Sequence, residues 1–193
     1  MNNILKKLWR KICALILPKF GQIGDKNYIQ LPHTIKNPQN IYFSNNAYIG
    51  RNSTLISVSE HKTGIPSISI GNNVWSTSNL QIYASKNVTV EDDVIIAANV
   101  YITDSSHDYS RGDIPYRVQG LTSPRPVLIG KGSWIGQNVC ILPGVTIGEQ
   151  CIIGANSVVN KDIPPFHIAV GAPAKIIKKW DSLKNEWVST KAY

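Results

Sequence analysis

The chain has 193 residues, 42% of them hydrophobic, which suffices for one sizeable domain and not for two large ones. Its three cysteines, Cys13, Cys140 and Cys151, are an odd number without metal-ligand spacing; this argues against a disulfide framework or a zinc cluster and fits a reducing cytosol. The net charge of +8 would suggest a nucleic-acid partner if it were spread along the chain. Lys6, Lys7, Arg10, Lys11 and Lys19 instead place +5 in residues 1–20, leaving 15 bases against 12 acids, or +3, elsewhere, so no nucleic-acid partner is expected.

In residues 1–20 the apolar positions Ile4, Leu5, Leu8, Trp9, Ile12, Leu15 and Ile16 recur at helical spacing with the basic residues between them, which predicts a basic amphipathic helix. Its longest apolar run, Ile12 to Leu17, stops at Pro18, far short of the ~20 residues that span a bilayer. No A-x-A-like cleavage site follows, so a secretory leader is the weakest reading. Two roles stay open: packing on the body of the protein, or resting on an anionic membrane surface.

The most specific feature is a six-residue period. From Ile129 an aliphatic recurs at Ile135, Ile141, Ile147, Ile153 and Val159, and a second series, Ser133, Val139, Val145, Cys151 and Ser157, lies four residues behind each of the first five. Gly130, Gly136, Gly148 and Gly154 follow four of the six aliphatics, as expected where backbones approach closely. The period also appears in Phe43, Ile49 and Leu55, with Ala47 and Ser53, and in Val90, Ile96 and Ile102, with Val94 and Val100; from Ile70 to Ile82 it is degraded.

Neither a helix nor a flat strand has a period of six. A triangular coil does: each hexapeptide gives one short strand and one corner, and the aliphatics stack inside. A sandwich of short strands is the bland alternative, but its turn signals would not stay in phase. The predicted body covers residues 21–163. Insertions in such a coil belong at its corners; one lies near Glu60 to Pro66, and a larger one spans 103–126, where Pro115, Pro124, Pro126 and the aromatics favour an ordered arm. In the tail, 164–193, Pro164-Pro165 ends the last coil. Pro173 then opens a predicted capping helix with Ile176, Ile177, Trp180, Leu183 and Trp187 on one face.

The repeat I-G-x-x-[SV]-x, the ending Gly154-Ala-Asn-Ser-Val-Val-Asn-Lys-Asp-Ile-Pro-Pro and then Gly171-Ala-Pro-Ala-Lys resemble the hexapeptide-repeat acyltransferases. The resemblance covers roughly residues 40–180 and is closest to sugar O-acetyltransferases of lipopolysaccharide O-antigen and capsule synthesis. It implies an all-β fold, a left-handed parallel β-helix with short N- and C-terminal helices and an extended loop. It also implies acetyl-CoA as donor, a sugar or glycan acceptor, no metal, and a homotrimer with active sites between subunits. The expected location is the cytoplasm, with peripheral attachment to the inner face of the membrane if residues 1–20 bind lipid.

Attack of a sugar hydroxyl on a thioester needs a base, and imidazole suits the task near neutral pH. His107 stands five residues beyond Ile102 at the start of the large loop, in Ile-Thr-Asp-Ser-Ser-His-Asp, where the family carries its catalytic histidine. Asp104, Asp108 or a backbone carbonyl are the candidates to orient its ring. His33, His61 and His167 have no such setting, and the four histidines, 28, 46 and 60 residues apart, lack the close pair of the zinc-dependent γ-type carbonic anhydrases that share the coil. By resemblance, Trp134, Gln137 and Ala155 line the pantetheine arm of acetyl-CoA, and Asn160, Lys161, Lys175 and Lys178 lie at its nucleotide end. Thr77, with Asn79 nearby, stands where galactoside acetyltransferases carry an acceptor-binding asparagine. An N-acetyltransferase of a nucleotide-linked amino sugar and a non-catalytic β-helix scaffold are the competing functions. The first usually adds an N-terminal nucleotide-binding unit, of which residues 1–40 show no glycine-rich signature.

Overall fold

A computed structural model describes residues 18–58 and 67–190. The predicted N-terminal helix, apart from Pro18 to Phe20, and the smaller insertion at Glu60 to Pro66 fall outside these residues. The body winds through six three-stranded coils. They are β1 (Gln22–Ile23), β2 (Tyr28–Ile29) and β3 (His33–Lys36); β4 (Ile41–Phe43), β5 (Tyr48–Ile49) and β6 (Ser53–Ser57); β7 (Ile68–Ile70), β8 (Trp75–Ser76) and β9 (Gln81–Ala84); β10 (Val88–Val90), β11 (Ile95–Ile96) and β12 (Tyr101–Thr103); β13 (Val127–Ile129), β14 (Trp134–Ile135) and β15 (Cys140–Ile141); and β16 (Thr146–Ile147), β17 (Ile152–Ile153) and β18 (Val158–Val159). Corresponding strands of successive coils pair in parallel, which builds a three-sided prism. Sheet A follows β1-β4-β7-β10-β13-β16, sheet B starts β2-β5-β8-β11-β14-β17, and sheet C holds β3-β6-β9-β12-β15-β18.

The six-residue period maps onto the prism residue by residue. Ile129, Ile135, Ile141, Ile147, Ile153 and Val159 are fully buried, and the second series, Ser133 to Ser157, is buried beside them. Each large aliphatic so removed from water contributes about 1.5–3 kcal/mol. The hydroxyls of the second series are satisfied by backbone: Ser133 donates to the Gly148 carbonyl at 2.9 Å and accepts from the Cys151 N–H at 3.1 Å. In the degraded stretch, Ser76 takes an aliphatic's place, paired between Ile49 and Ile96, and its buried hydroxyl has no partner among the described residues.

Corners need backbone that most residues resist. Asn52, Asn79, Asn99, Asn138 and Asn156 all sit in the left-handed region, at φ 54 to 60°, which asparagine tolerates. The amides of the last four form a ladder along the edge between sheets B and C, from Asn79 to Asn99 (2.7 Å), Asn99 to Asn138 (3.0 Å) and Asn138 to Asn156 (2.9 Å). At the same edge a Cβ on Gly136 would lie 2.7 Å from the Ala155 nitrogen, so glycine is required for closeness.

The predicted C-terminal helix is not formed. After the last coil, β19 (His167–Val170) pairs in parallel with β17, and β20 (Lys175–Asp181) and β21 (Glu186–Ser189) follow as an antiparallel hairpin, extending sheet B to nine strands. The open edge of β17 offers unpaired backbone groups, and strand pairing satisfies them where a helix would not. The helical spacing was coincidental: Trp180 faces Trp187 across the hairpin with ring centroids 5.4 Å apart, and Leu183 sits in the turn, 97% exposed.

Candidate active site

The large insertion leaves the prism at the edge between sheets C and A, after β12. Its root is fixed by Asp104, whose fully buried carboxylate accepts the N–H groups of Ser85 (2.8 Å), Lys86 (2.6 Å) and Asn87 (2.7 Å) from the corner one coil earlier. The Arg125 N–H donates to the Asp104 carbonyl at 2.8 Å, so the arm returns to its starting point. Asp104 therefore holds the loop's base and does not orient the imidazole, which corrects the expectation for it. The Ser85 N–H takes one of its oxygens and those of Lys86 and Asn87 share the other, and such charge-assisted bonds are too favourable to surrender.

Beyond the root the arm is a hairpin held by hydrogen bonds, not by packing of its aromatics, since Tyr109 and Tyr116 are exposed. His107 bridges Leu121 antiparallel, flanked by Thr122 N–H to Ser106 carbonyl (2.8 Å) and Asp108 N–H to Gly120 carbonyl (3.0 Å). The tip closes through the Gln119 side chain, which donates to the carbonyls of Arg111 and Ile114 and accepts the Arg111 N–H, and through a 3-10 turn at Tyr116–Val118. Arg111 pairs with Asp113 there. The Asp108 carboxylate accepts the Ser110 N–H at 2.9 Å. It stabilises the hairpin's turn, and no bond joins it to His107, so this orienting role is not seen either.

His107 is exposed at the shared rim of two hollows. One, about 370 Å³, lies over the outer face of sheet C and is lined by Val58, Tyr83, Tyr101, Leu121, Leu142 and Pro143, with the hydroxyl residues Thr103, Ser105 and Ser106. The other, about 420 Å³, belongs to the arm and is lined by Ser106, Tyr109, Tyr116 and Arg117. Tyr83 and Tyr101 were not singled out from the sequence. The period could have found them, since both occupy outward positions of sheet C strands that alternate with buried Ile82 and Ile102. Burial pushes the Tyr101 phenol up, opposed in part by the Thr103 hydroxyl, so it stays protonated.

A larger hollow, about 490 Å³, runs along sheet A past Tyr42, Ser69 and Thr89, but its acids are committed. Glu91 accepts the Lys131 N–H at 2.8 Å, and Asp92 accepts that of Asn72 at 2.6 Å. The backbone N–H of Asn72 is the main reason that the Asp92 carboxyl is held below its usual range. Burial raises both described thiols, and Cys151 donates to the Pro164 carbonyl at 3.0 Å, so neither offers a thiolate nucleophile. His167 Nδ1 lies 2.8 Å from the Pro165 carbonyl, and half-buried His33 has its ring pKa lowered by desolvation. Among the described residues no group of three His, Cys, Asp or Glu side chains is placed to hold a metal.

The other sequence candidates fall in three places. Thr77, Asn79, Gln137 and Ala155 follow one another along the edge between sheets B and C, where the Asn156 N–H donates to the Gln137 carbonyl at 2.8 Å. The Asn79 amide N–H donates into the amide ladder, so its side chain serves the corner. Trp134 stands half exposed on the outer face of sheet B. Asn160 and Lys161 follow β18 on the C–A edge, below His107, whereas Lys175 and Lys178 are exposed on β20. The three lysines have no ion-pair partner among the described residues. The chain thus keeps His107 on a different edge from Thr77, Gln137 and Ala155.

Comparison with known proteins agrees with this architecture. The pattern "Bacterial transferase hexapeptide (six repeats)" matches residues 126–161, and that of a "Hexapeptide repeat of succinyl-transferase" matches 87–104. The galactoside O-acetyltransferase of Escherichia coli K12 is 41% identical over 166 residues, covering 86% of this chain and 67% of that protein. A putative lipopolysaccharide biosynthesis O-acetyl transferase of the same strain is 34% identical, covering 82% of each. Among solved structures, a galactoside acetyltransferase in complex with coenzyme A superposes with a TM-score of 0.65 at 30% identity, covering 91% of this chain and 72% of that one. AntD, an N-acyltransferase from Bacillus cereus in complex with dTDP and coenzyme A, reaches 0.73 at 23% identity over 88% of each chain and shares the fold. With its period, its three parallel sheets and these relatives, the chain belongs to the hexapeptide-repeat transferases, the acyltransferases of the left-handed β-helix fold.

Proposed function

We propose that the protein transfers an acetyl group from acetyl-CoA to a sugar hydroxyl, with His107 as general base, in the building of a surface polysaccharide. The observation that carries this reading is His107 itself, held by a hydrogen-bonded hairpin on the rim of two hollows. The imidazole takes the hydroxyl proton as the oxygen attacks the thioester carbon. The new ester forms as the carbon–sulfur bond breaks, and the proton passes to the leaving thiolate. The exposed cations Lys161, Lys175 and Lys178 suit the phosphates of the donor. Because His107 and the B–C edge lie apart in one protomer, the reading includes a homotrimer in which one subunit's His107 meets its neighbour's Gln137 and Ala155. The +5 of residues 1–20 suits a glycan acceptor carried on an anionic cytoplasmic membrane surface.

The test follows thiol release from acetyl-CoA with sugar acceptors, identifying the product as ester or amide. Wild-type protein should form an ester, and His107→Ala should lower turnover by roughly 10²–10⁴ with acetyl-CoA binding retained. Near-normal turnover by a folded His107→Ala variant would remove the histidine from this role, and an amide product would replace O-acetylation by N-acetylation of an amino sugar.

A further inference from the structure

We infer that Tyr83 and Tyr101 form the acceptor platform of this enzyme and select a pyranose ring by its apolar face. The inference rests on the sugar O-acetyltransferase reading above and adds where, and by what chemistry, the acceptor is held.

Both tyrosines project from sheet C, from β9 and β12, with ring centroids 5.7 Å apart and planes inclined by 40°. The strands beneath them pair in register, Tyr101 opposite Gln81 and Thr103 opposite Tyr83, and their inward neighbours Ile82 and Ile102 are fully buried. The two rings therefore stand on the rigid body, whereas His107 and Leu121 approach from the arm and Leu142 and Pro143 from the next corner. A pyranose has one face of C–H bonds and a rim of hydroxyls. The hollow has the matching inventory: two aromatic surfaces and four aliphatic side chains, with the exposed Ser106 hydroxyl and the base on the rim, while the buried hydroxyls of Thr103 and Ser105 bond to the Ser105 carbonyl and to Ser85. The C–H bonds of a sugar, slightly positive, are attracted to the negative face of an aromatic ring.

Size points the same way. At about 370 Å³ the hollow falls within the range of small-molecule sites, and an acetyl group, with three heavy atoms, would leave it mostly empty. The phenol of Tyr101 is kept protonated by its burial, so it can also donate to a sugar oxygen. The second hollow, with Arg117 and the exposed Tyr109 and Tyr116, lacks any liner from the coils and so offers less support from the rigid body.

The experiment compares the full chain with Tyr83→Leu, Tyr101→Leu, Tyr83→Phe and Tyr101→Phe. Acceptors are a panel of methyl pyranosides and, as a control with hydroxyls and no ring face, the open-chain polyol sorbitol. The wild type should favour the best pyranoside over sorbitol. Each Leu variant should raise the pyranoside KM by about 10-fold, the upper end for loss of one aromatic contact, with the KM for acetyl-CoA and the thermal midpoint unchanged. The Phe variants, which keep the ring, should stay within about 3-fold of wild type. Unchanged pyranoside KM in the Leu variants, while transfer still depends on His107, overturns the platform and leaves the enzymatic reading standing. An effect confined to acyl-CoA, such as altered acyl-chain preference, overturns it too and assigns the hollow to the donor. If the wild type releases thiol with no sugar but does so with an amine or another acceptor, the O-acetyltransferase reading fails, and the platform with it.

Discussion

The coils from Ile129 to Val159 and the arm from 104 to 126 are held by opposite means. In the coils a repeated aliphatic is buried at every sixth residue, and the backbone pairs with the coil above and below. In the arm, Tyr109, Tyr116, Val118 and Leu121 are all exposed, and order comes from polar locks: Asp104 at the root, two backbone bonds beside His107, and Gln119 at the tip. Burial is non-directional and forgiving of detail, so it suits a scaffold. A side chain proposed as a base must be held at a set position, and directional hydrogen bonds do this where little apolar area is available.

Three substitutions sharpen this contrast. The largest stability change should come from Asp104→Ala, which strands three backbone N–H groups, two of them on partly buried residues. A loss of about 4 kcal/mol is expected, together with a fall in kcat as the arm loses its root; urea unfolding and steady-state kinetics report the two effects. If kcat per folded molecule is untouched, the root does not position His107. Ile141→Ala, in the regular coils, should cost about 3 kcal/mol through the cavity it leaves, yet kcat of the folded fraction should match wild type, since nothing in the arm depends on that side chain. The smallest change runs the other way. Ser76→Ala removes the unpartnered hydroxyl from the degraded coil and should stabilise by about 1 kcal/mol, seen as a raised midpoint in thermal unfolding; a lowered midpoint would mean that the hydroxyl is satisfied in solution.

The coils were legible because their signal is local and repeated: each of Ile129 to Val159 reports the same environment. His107 became the candidate base because it stands at a break in that rhythm, where the resemblance places the family's histidine. Asp104 was not, since its role depends on Ser85 to Asn87 lying one coil away, a neighbour that only the winding supplies. Asn79 shows the same limit, because an amide that serves a corner ladder and one that binds a sugar look alike in sequence. The tail misled through its spacing. Ile176, Ile177, Trp180 and Trp187 fit a helical stripe, but the free edge of sheet B settled the outcome. A cue was present in Asp181 to Asn185, where the Asp181 carboxylate accepts the N–H groups of Leu183 and Lys184 and Asn185 turns at φ 54°, as hairpin turns favour.

The asparagine ladder has a polarity. Asn79 gives a hydrogen to Asn99, which gives one to Asn138, which gives one to Asn156, so every rung presents the same acceptor upward and the same donor downward. A whole coil inserted between two rungs would find both its amide contacts waiting, as would the two coils left facing each other after a deletion. A single hexapeptide would keep the aliphatics inside but carry the asparagines that follow it to another edge, and an insertion that is not a multiple of six residues would bring an aliphatic to the corner. The prism can therefore lengthen or shorten across descent in whole-coil steps, like a column built from interchangeable drums, and its height becomes a variable that selection can adjust without redesigning the edge.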